Sequence, residues 1–273
     1  PDASPGPPAW AARRARAAGQ DGRMTADAAP DRSALASSFG AVADQYDRVR
    51  PGYPDDAIAW MLPAGARRVV DLGAGTGKLT RLLAARGLRV TAVEPDDGMR
   101  AVLAAASPGV DARAGTGEAI PVGDGEEDAV LVAQAWHWMD EGDAAREAAR
   151  VLRPGGLLGI VWNVMDTGVD WVRELDALLQ VDGRVAGRAV EPGPFPGFGP
   201  VEHAAFRHAH RVTPEDVVAL AGSISRVIVL PDAPRARLLD DVRTLLAGHP
   251  DTAGRDALDL PYRADAYRAQ LGG

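Results

Sequence analysis

From Ser33 onward the chain alternates short apolar runs with segments whose apolar residues recur every three or four positions. The apolar runs are Arg67–Asp71 (RRVVD), Leu88–Glu94 (LRVTAVE), Val110–Arg113, Asp128–Val132 (DAVLV) and Leu157–Trp162 (LLGIVW). Nearly continuous apolar character marks strands covered on both faces, as a parallel sheet requires. Between the first two runs, Lys78–Ala85 sets leucines 79, 82 and 83 on one helical stripe that stops at Gly87. Asp96 or Asp97 can cap a helix running to Ala106, and Asp143–Leu152 reads as a helix ending at Pro154-Gly155-Gly156. Ser33–Tyr46, Asp55–Leu62 and the stretch around Trp171–Leu179 also predict helices. Arg50-Pro51-Gly52-Tyr53-Pro54 predicts a rigid turn. Past the Gly/Pro-rich loop Glu191–Pro200 come a strand at Val201–Val212 and a helix opened by Thr213 with Pro214 and Glu215. A helix at Pro231–Leu246 and a last strand at Leu258–Tyr262 complete the chain. Strands alternating with helices through right-handed crossovers give an α/β fold with a doubly wound, mostly parallel sheet.

The first 32 residues do not share this pattern. They are rich in Ala, Pro, Gly, Arg and Asp, with Trp10 as their large aromatic, and bury too little apolar surface to offset the entropy of ordering. A disordered tail at 1–32 is expected, followed by one domain at 33–273 with a helical insertion at about 213–250. No apolar run follows Arg13-Arg14, which argues against a secretory or twin-arginine signal. The first methionine is Met24; a natural start there, with leader residues before it, and a flexible natural tail both remain open. Composition adds exclusions. With 46% hydrophobic and 25% charged residues the 273-residue chain reads as a soluble, cytoplasmic globular protein. No run approaches the ~18 apolar residues of a membrane span. The absence of cysteine excludes disulfides, Cys-ligated zinc and a thiol nucleophile. A net charge of −8 argues against a general nucleic-acid binder, and because Lys78 is the single lysine among 30 basic residues, the abundant arginine reflects compositional bias.

The central chemical signal is Val69-Val70-Asp71-Leu72-Gly73-Ala74-Gly75-Thr76-Gly77-Lys78, a strand feeding a tight glycine turn into a helix. It is not a phosphate-binding P-loop: Gly73 stands one residue too close to Gly77-Lys78, and Leu79 replaces the metal-binding hydroxyl. Gly73, Gly75 and Gly77 give G-x-G-x-G where a dinucleotide fold wants G-x-G-x-x-G. Asp71 before the loop suits a cationic ammonium better than a pyrophosphate. Glu94, ending the second strand, can accept both hydroxyls of a ribose. A ribose without pyrophosphate beside a carboxylate that favours a cation fits a nucleoside sulfonium better than a nicotinamide dinucleotide.

At this point the chain resembles the class I S-adenosylmethionine-dependent methyltransferases. VVDLGAGTGKLT resembles the family's first motif, VEPDDGM (93–99) its acidic second motif, and GTGEAIP (115–121) its adenine-side turn. DAVLVAQAWHWMD (128–140) and VLRPGGLLGIVW (151–162) resemble the fourth- and fifth-strand motifs. The upstream FGAVADQYDRVRPGYP (39–54) is similar to a subgroup with small-molecule acceptors, trans-aconitate-type methyltransferases among them. The resemblance implies a Rossmann-like, seven-stranded sheet whose last strand is antiparallel and lies beside strand five. It further implies S-adenosylmethionine as cofactor, S-adenosylhomocysteine as product, no metal, and a small-molecule methyl acceptor.

The expected cofactor-binding residues are Asp71, Gly73, Gly75, Gly77, Glu94, Asp96, Met99, Thr116, Gly117, Glu118 and Gln134. Asp96 alternatively caps a helix, and Met99 either packs in the core or covers the adenine. Trp136 and Trp138 flank His137 where the fourth strand ends, and the two rings suit an acceptor wall. His137 is the candidate general base. Tyr46 and Tyr53 lie in a segment, Phe39–Pro54, placed to fold over the sheet edge as a lid, or else to pack on its flank as fixed scaffold. His203, His208 and His210 lack carboxylates at matching short spacing and read as an exposed or interface strand rather than a metal site. A non-catalytic adenosyl-nucleoside-binding domain and an NAD(P)-linked oxidoreductase are the alternatives. Acceptor identity, the atom methylated and the oligomeric state are not legible in the sequence.

Overall fold

The computed structural model describes residues 49–180 and 191–272. The expected tail at 1–32, the helix Ser33–Tyr46 and the candidate Tyr46 itself lie outside the described residues. The sheet has seven strands: β1 (Arg68–Leu72), β2 (Arg89–Val93), β3 (Asp111–Arg113), β4 (Glu127–Ala133), β5 (Leu152–Met165), β6 (Glu202–Val212) and β7 (Leu258–Gln270). Their order is β3-β2-β1-β4-β5-β7-β6. β1 pairs in parallel with β2 and β4, β2 with β3, and β4 with β5, whereas β7 runs antiparallel to both β5 and β6. Strand order reverses direction at β1, so a crevice opens where the carboxyl ends of β1 and β4 part company.

The helices are α1 (Asp55–Met61), α2 (Lys78–Ala85), α3 (Asp97–Ala106), α4 (Glu141–Val151), α5 (Asp170–Leu179), α6 (Pro214–Gly222), α7 (Ser225–Ile228) and α8 (Asp232–Gly248). Because successive strand side chains point to opposite faces, the apolar strands build two cores. On one face Val69, Val90, Ala129, Leu131 and Val161 meet Ile58 and Met61 of α1 and Leu79 and Leu83 of α2. On the other, Val70, Val130, Leu158 and Ile160 meet the alanines of α4 at 144, 145 and 148. α8 packs against α5 and α6, forming a helical layer in the chain's carboxyl half. A capping box between Thr213 and Asp216 starts α6. No described helix is long and apolar enough to cross a membrane.

Two strand limits differ from the pattern-based expectation. β5 begins at Leu152, directly after α4, because Leu152 pairs with Glu127 before pairing resumes at Leu157 with Ala129. Arg153–Gly156 are the residues looped out in between, with Gly155 at φ +79°. β7 continues past Tyr262 to Gln270, and its inward positions there include Ala264, Ala266 and Ala269. Alanine carries little strand propensity, so this half of β7 is made a strand by its two neighbours rather than by its own sequence.

Candidate functional site

A cavity of about 410 Å³ lies at the carboxyl ends of β1, β2 and β4. The loop after β1 forms its floor. Gly73, Gly75 and Gly77 have φ of +69°, +57° and +86°, a region that residues with a Cβ rarely enter. Gly73 and Ala74 donate their backbone N–H groups to Val93 O at 2.8 and 3.1 Å, tying the loop to the end of β2. A Cβ on Gly73 would stand 2.5 Å from Ala135 Cβ, and one on Gly77 2.9 Å from Leu103 Cγ. Gly73 and Gly75 line the cavity; Gly77 stands behind it as the N-cap of α2.

Asp71 reaches the cavity from the buried end of β1 and is only 1% exposed. Its Oδ2 accepts a hydrogen bond from Thr80 Oγ1 at 2.5 Å, while its Oδ1 has no partner among the described residues. Burial is the main reason its carboxyl is pushed up to about 7; the Thr80 hydroxyl opposes this and the nearby Glu94 charge adds to it. Glu94 is also buried, and desolvation likewise raises its pKa. Its two oxygens accept from Gly75 N at 2.9 Å and Asp96 N at 3.0 Å, so one carboxylate joins the glycine loop to the entry of α3. Asp96 spends its own carboxylate on capping α3, accepting from Met99 N at 2.8 Å, and does not line the cavity; Met99 does.

The opposite wall is the turn Gly115–Glu118, with Thr116, Gly117 and Glu118 all on the cavity. Gly117 has Met139 Sδ 2.5 Å from where a Cβ would stand, so the turn lies flat against that thioether. Glu118 Oε1 accepts from Asp140 N at 2.8 Å, joining this turn to the start of α4. Gln134, the first residue past β4, is the one described non-glycine residue with positive φ, at +58°. Its backbone N–H donates to Val161 O and its Nε2 to Asn163 O at 3.0 Å, which hold it in that conformation beside the cavity.

The aromatic cluster separates. Trp136–Trp138 forms a single 3-10 turn rather than a strand end. His137 and Trp138 line the cavity with rings 4.7 Å apart. Trp136 is 1% exposed and packs edge-on against Phe195 at 5.3 Å, so its place is in the core and not on an acceptor wall. Tyr53 does line the cavity. Further lining comes from Arg50 of the turn before α1 and from residues without a local motif: Asn163, Asp176, Leu220, Arg226 and Tyr262. They arrive from the segment before α1, from β5, from α5 to α7 and from β7, elements that only the tertiary fold brings together.

Comparison with known proteins agrees with this geometry. Residues 70–160 match the family described as "Methyltransferase domain". An uncharacterized methyltransferase of Mycobacterium tuberculosis is 49% identical over 238 residues, covering 87% of this chain and 97% of that protein. An uncharacterized methyltransferase-like protein of Schizosaccharomyces pombe is 33% identical over 239 residues, covering 84% and 93%. Among solved structures, that of a proposed type II methyltransferase from Anaeromyxobacter dehalogenans superposes with a TM-score of 0.60 at 24% identity, over 81% of this chain and 97% of that one, a likeness of fold.

Proposed function

This chain belongs to the class I S-adenosylmethionine-dependent methyltransferases, and we propose that it transfers a methyl group to a small organic acceptor. The observation that carries the reading is Asp71: a buried carboxylate, with no partner for Oδ1 among the described residues, in the lining of a cavity built on a glycine loop. That oxygen fits an ammonium group, as on the methionine part of the cofactor. Glu94 would hold the ribose hydroxyls, and Met99, Met139 and the Thr116–Glu118 turn would bracket the adenine. S-adenosylmethionine, when bound, supplies an electrophilic sulfonium methyl.

The chain's own task is then to align the acceptor and exclude water. Tyr53, Trp138 and Tyr262 present ring surface for this, and Leu179 and Leu220 add apolar wall. Arg50 and Arg226 bring two guanidinium groups to the same end, which suits a carboxylate on the acceptor and accords with the resemblance to trans-aconitate-type enzymes. His137, on the cavity beside Trp138, would take the acceptor's proton on an imidazole nitrogen.

The test is in two steps. Melting in the presence of S-adenosylmethionine, S-adenosylhomocysteine or NAD should show stabilisation by the first two, amounting to about 2.7 kcal/mol at a hundredfold excess over Kd. Radiolabelled methyl transfer to a panel of aromatic and aliphatic carboxylates should then yield labelled product. Stabilisation by NAD and not by S-adenosylhomocysteine would overturn the reading. Binding without transfer across the panel would favour a nucleoside-binding protein of the same fold.

Glu94→Ala should weaken S-adenosylmethionine by about 1.5–3 kcal/mol, roughly 10- to 150-fold, the range for lost hydrogen bonds to a charged group. Part of the loss comes through the loop, because Gly75 N and Asp96 N lose their acceptor. Calorimetry on a folded variant checks it, and unchanged affinity would remove Glu94 from the site.

A further inference from the structure

We propose that His208 and His210 are positioning residues, whose Nε2–H groups hold the segment Val49–Tyr53 in place as the acceptor-side wall of the cavity. The inference rests on the methyltransferase reading only in naming that wall the acceptor side.

The two histidines stand two residues apart on β6 and so share a face. Both are half-buried, on the face that also carries Phe206 and packs towards α1. His210 Nε2 lies 3.1 Å from Val49 O. A carbonyl can only accept, so this nitrogen carries the proton. The same logic fixes His208 through Asn163. Asn163 Nδ2 donates to Gly52 O at 2.9 Å, which sets the direction of the amide and turns its Oδ1 to His208 Nε2 at 3.0 Å. His208 Nε2 must therefore donate as well. Both imidazoles are held below the ordinary histidine range, chiefly by burial, which favours the neutral ring.

These bonds converge on one short segment. His210 grips it at Val49, and His208 grips it at Gly52 through Asn163. Its far side is joined to the helical layer, where Arg50 Nε and Nη2 donate to Ser223 Oγ and Ser223 O at 3.2 and 2.9 Å. Arg50, Pro51 and Tyr53, the residues this segment contributes to the cavity, lie within or next to the stretch Val49–Gly52 that these bonds hold. Tyr262, also on the cavity, stacks on the His208 ring with centroids 5.7 Å apart and planes at 23°. Asn163 extends the connection inward, since its backbone carbonyl receives Gln134 Nε2. The segment is rich in proline and glycine and spans no helix or strand of its own beyond Val49, so its place is set by what grips it. The histidines thus have a role at the site although neither lines it.

The experiment uses the full chain with ¹⁵N-labelled histidine and arginine. Near pH 7.5 the histidine spectra should show both rings as neutral Nε2–H tautomers. Leucine at either position removes the donor at similar size, whereas glutamine places an amide N–H near where Nε2 stands. His208→Leu and His210→Leu should speed hydrogen exchange at Arg50 Nε–H, assigned with an Arg50→Lys control, by at least about tenfold; His208→Gln and His210→Gln should return it to within about threefold of the parent. A ring found as the Nδ1–H tautomer, unchanged exchange in the leucine variants, or glutamine variants as loose as leucine ones would each overturn the proposal. If the leucine variants fail to fold, the parent tautomers and the glutamine variants still decide it. Calorimetry with S-adenosylhomocysteine keeps the two readings apart: no binding by the parent protein would sink the methyltransferase reading and leave the histidine result standing.

Discussion

Gly73→Ala should melt well below the parent protein and lose measurable affinity for S-adenosylhomocysteine. Two independent effects add at this position. The backbone sits at φ +69°, and an L-residue held in the left-handed region costs roughly 1–2 kcal/mol. The new Cβ would also stand 2.5 Å from Ala135 Cβ and 3.3 Å from Met139 Cε. Met139 can yield because it is flexible. Ala135 cannot move without its backbone, which follows Gln134, bonded to Val161 O, and precedes the buried Trp136. Overpacking of this kind costs about 1–3 kcal/mol. The sum, roughly 2–5 kcal/mol, is a large share of the 5–15 kcal/mol that a domain has, and corresponds to a fall of roughly 4–20 °C in Tm for a domain of this size. Binding suffers further, because Gly73 N and Ala74 N donate to Val93 O and any shift of the loop displaces Gly75 N from Glu94.

Gly75→Ala separates the two effects. Its φ is +57°, but the nearest atom to a Cβ would be Met99 Sδ at 3.9 Å. It should lose only about 1–2 kcal/mol of stability while still impairing binding, since the methyl enters the cavity. Circular dichroism melts and calorimetry on both variants check the contrast. A Gly73→Ala protein melting within about a degree of the parent would show that the approach of the loop to Ala135 is not tight.

The β1–loop–α2 unit was legible because every local signal there agrees: an apolar run, glycines where the turn needs positive φ, and a helix whose Leu79 and Leu83 face the core. The same holds for Asp96, whose capping role was visible as an alternative and is what the structure displays. Trp136 and Trp138 look equivalent in sequence, but the 3-10 turn sends one to Phe195 and the other to the cavity, and no spacing rule distinguishes them. The end of the cavity lined from the carboxyl half of the chain was the least legible part. Asp176, Leu220, Arg226 and Tyr262 are ordinary residues of ordinary elements until α5 to α7 and β7 meet over the sheet edge. His208 and His210 read as residues of an exposed or interface strand because they lack carboxylates at matching short spacing. β6 is indeed an edge strand, yet the face bearing these two is covered by the segment before α1, a contact across more than 150 residues of sequence that no local window contains.

Asp71→Asn should make the cofactor-free protein more stable at pH 8 and S-adenosylmethionine binding far weaker. In the folded chain burial lifts the Asp71 carboxyl from its ordinary 3.8 to about 7. Below pH 3.8 it is protonated both folded and unfolded, and its burial then carries no ionisation penalty. As pH rises from about 4 to about 7 the unfolded chain releases this proton while the folded chain keeps it, so the stability of the cofactor-free protein falls across that window and levels off above it. At 1.36 kcal/mol per pKa unit the penalty is on the order of 4 kcal/mol at pH 8. Asparagine removes it at nearly constant shape and can still accept the Thr80 hydroxyl, so the variant should melt higher at pH 8 and lose most of the Asp71-dependent slope between pH 4 and 7. On the proposed reading a bound ammonium would give this carboxylate a partner and offset the penalty. Breaking such a buried pair costs about 3–5 kcal/mol, so affinity should drop more than a hundredfold. Parent affinity should also rise with pH, up to about tenfold per unit below 7, because the cationic ligand binds the ionised carboxyl; the asparagine variant should lose this dependence. Calorimetric melts and titrations over pH 5–8 test both halves. A variant less stable than the parent at pH 8, or one that binds S-adenosylmethionine as tightly, would mean that Asp71 is a structural acceptor for Thr80 and not the cation site.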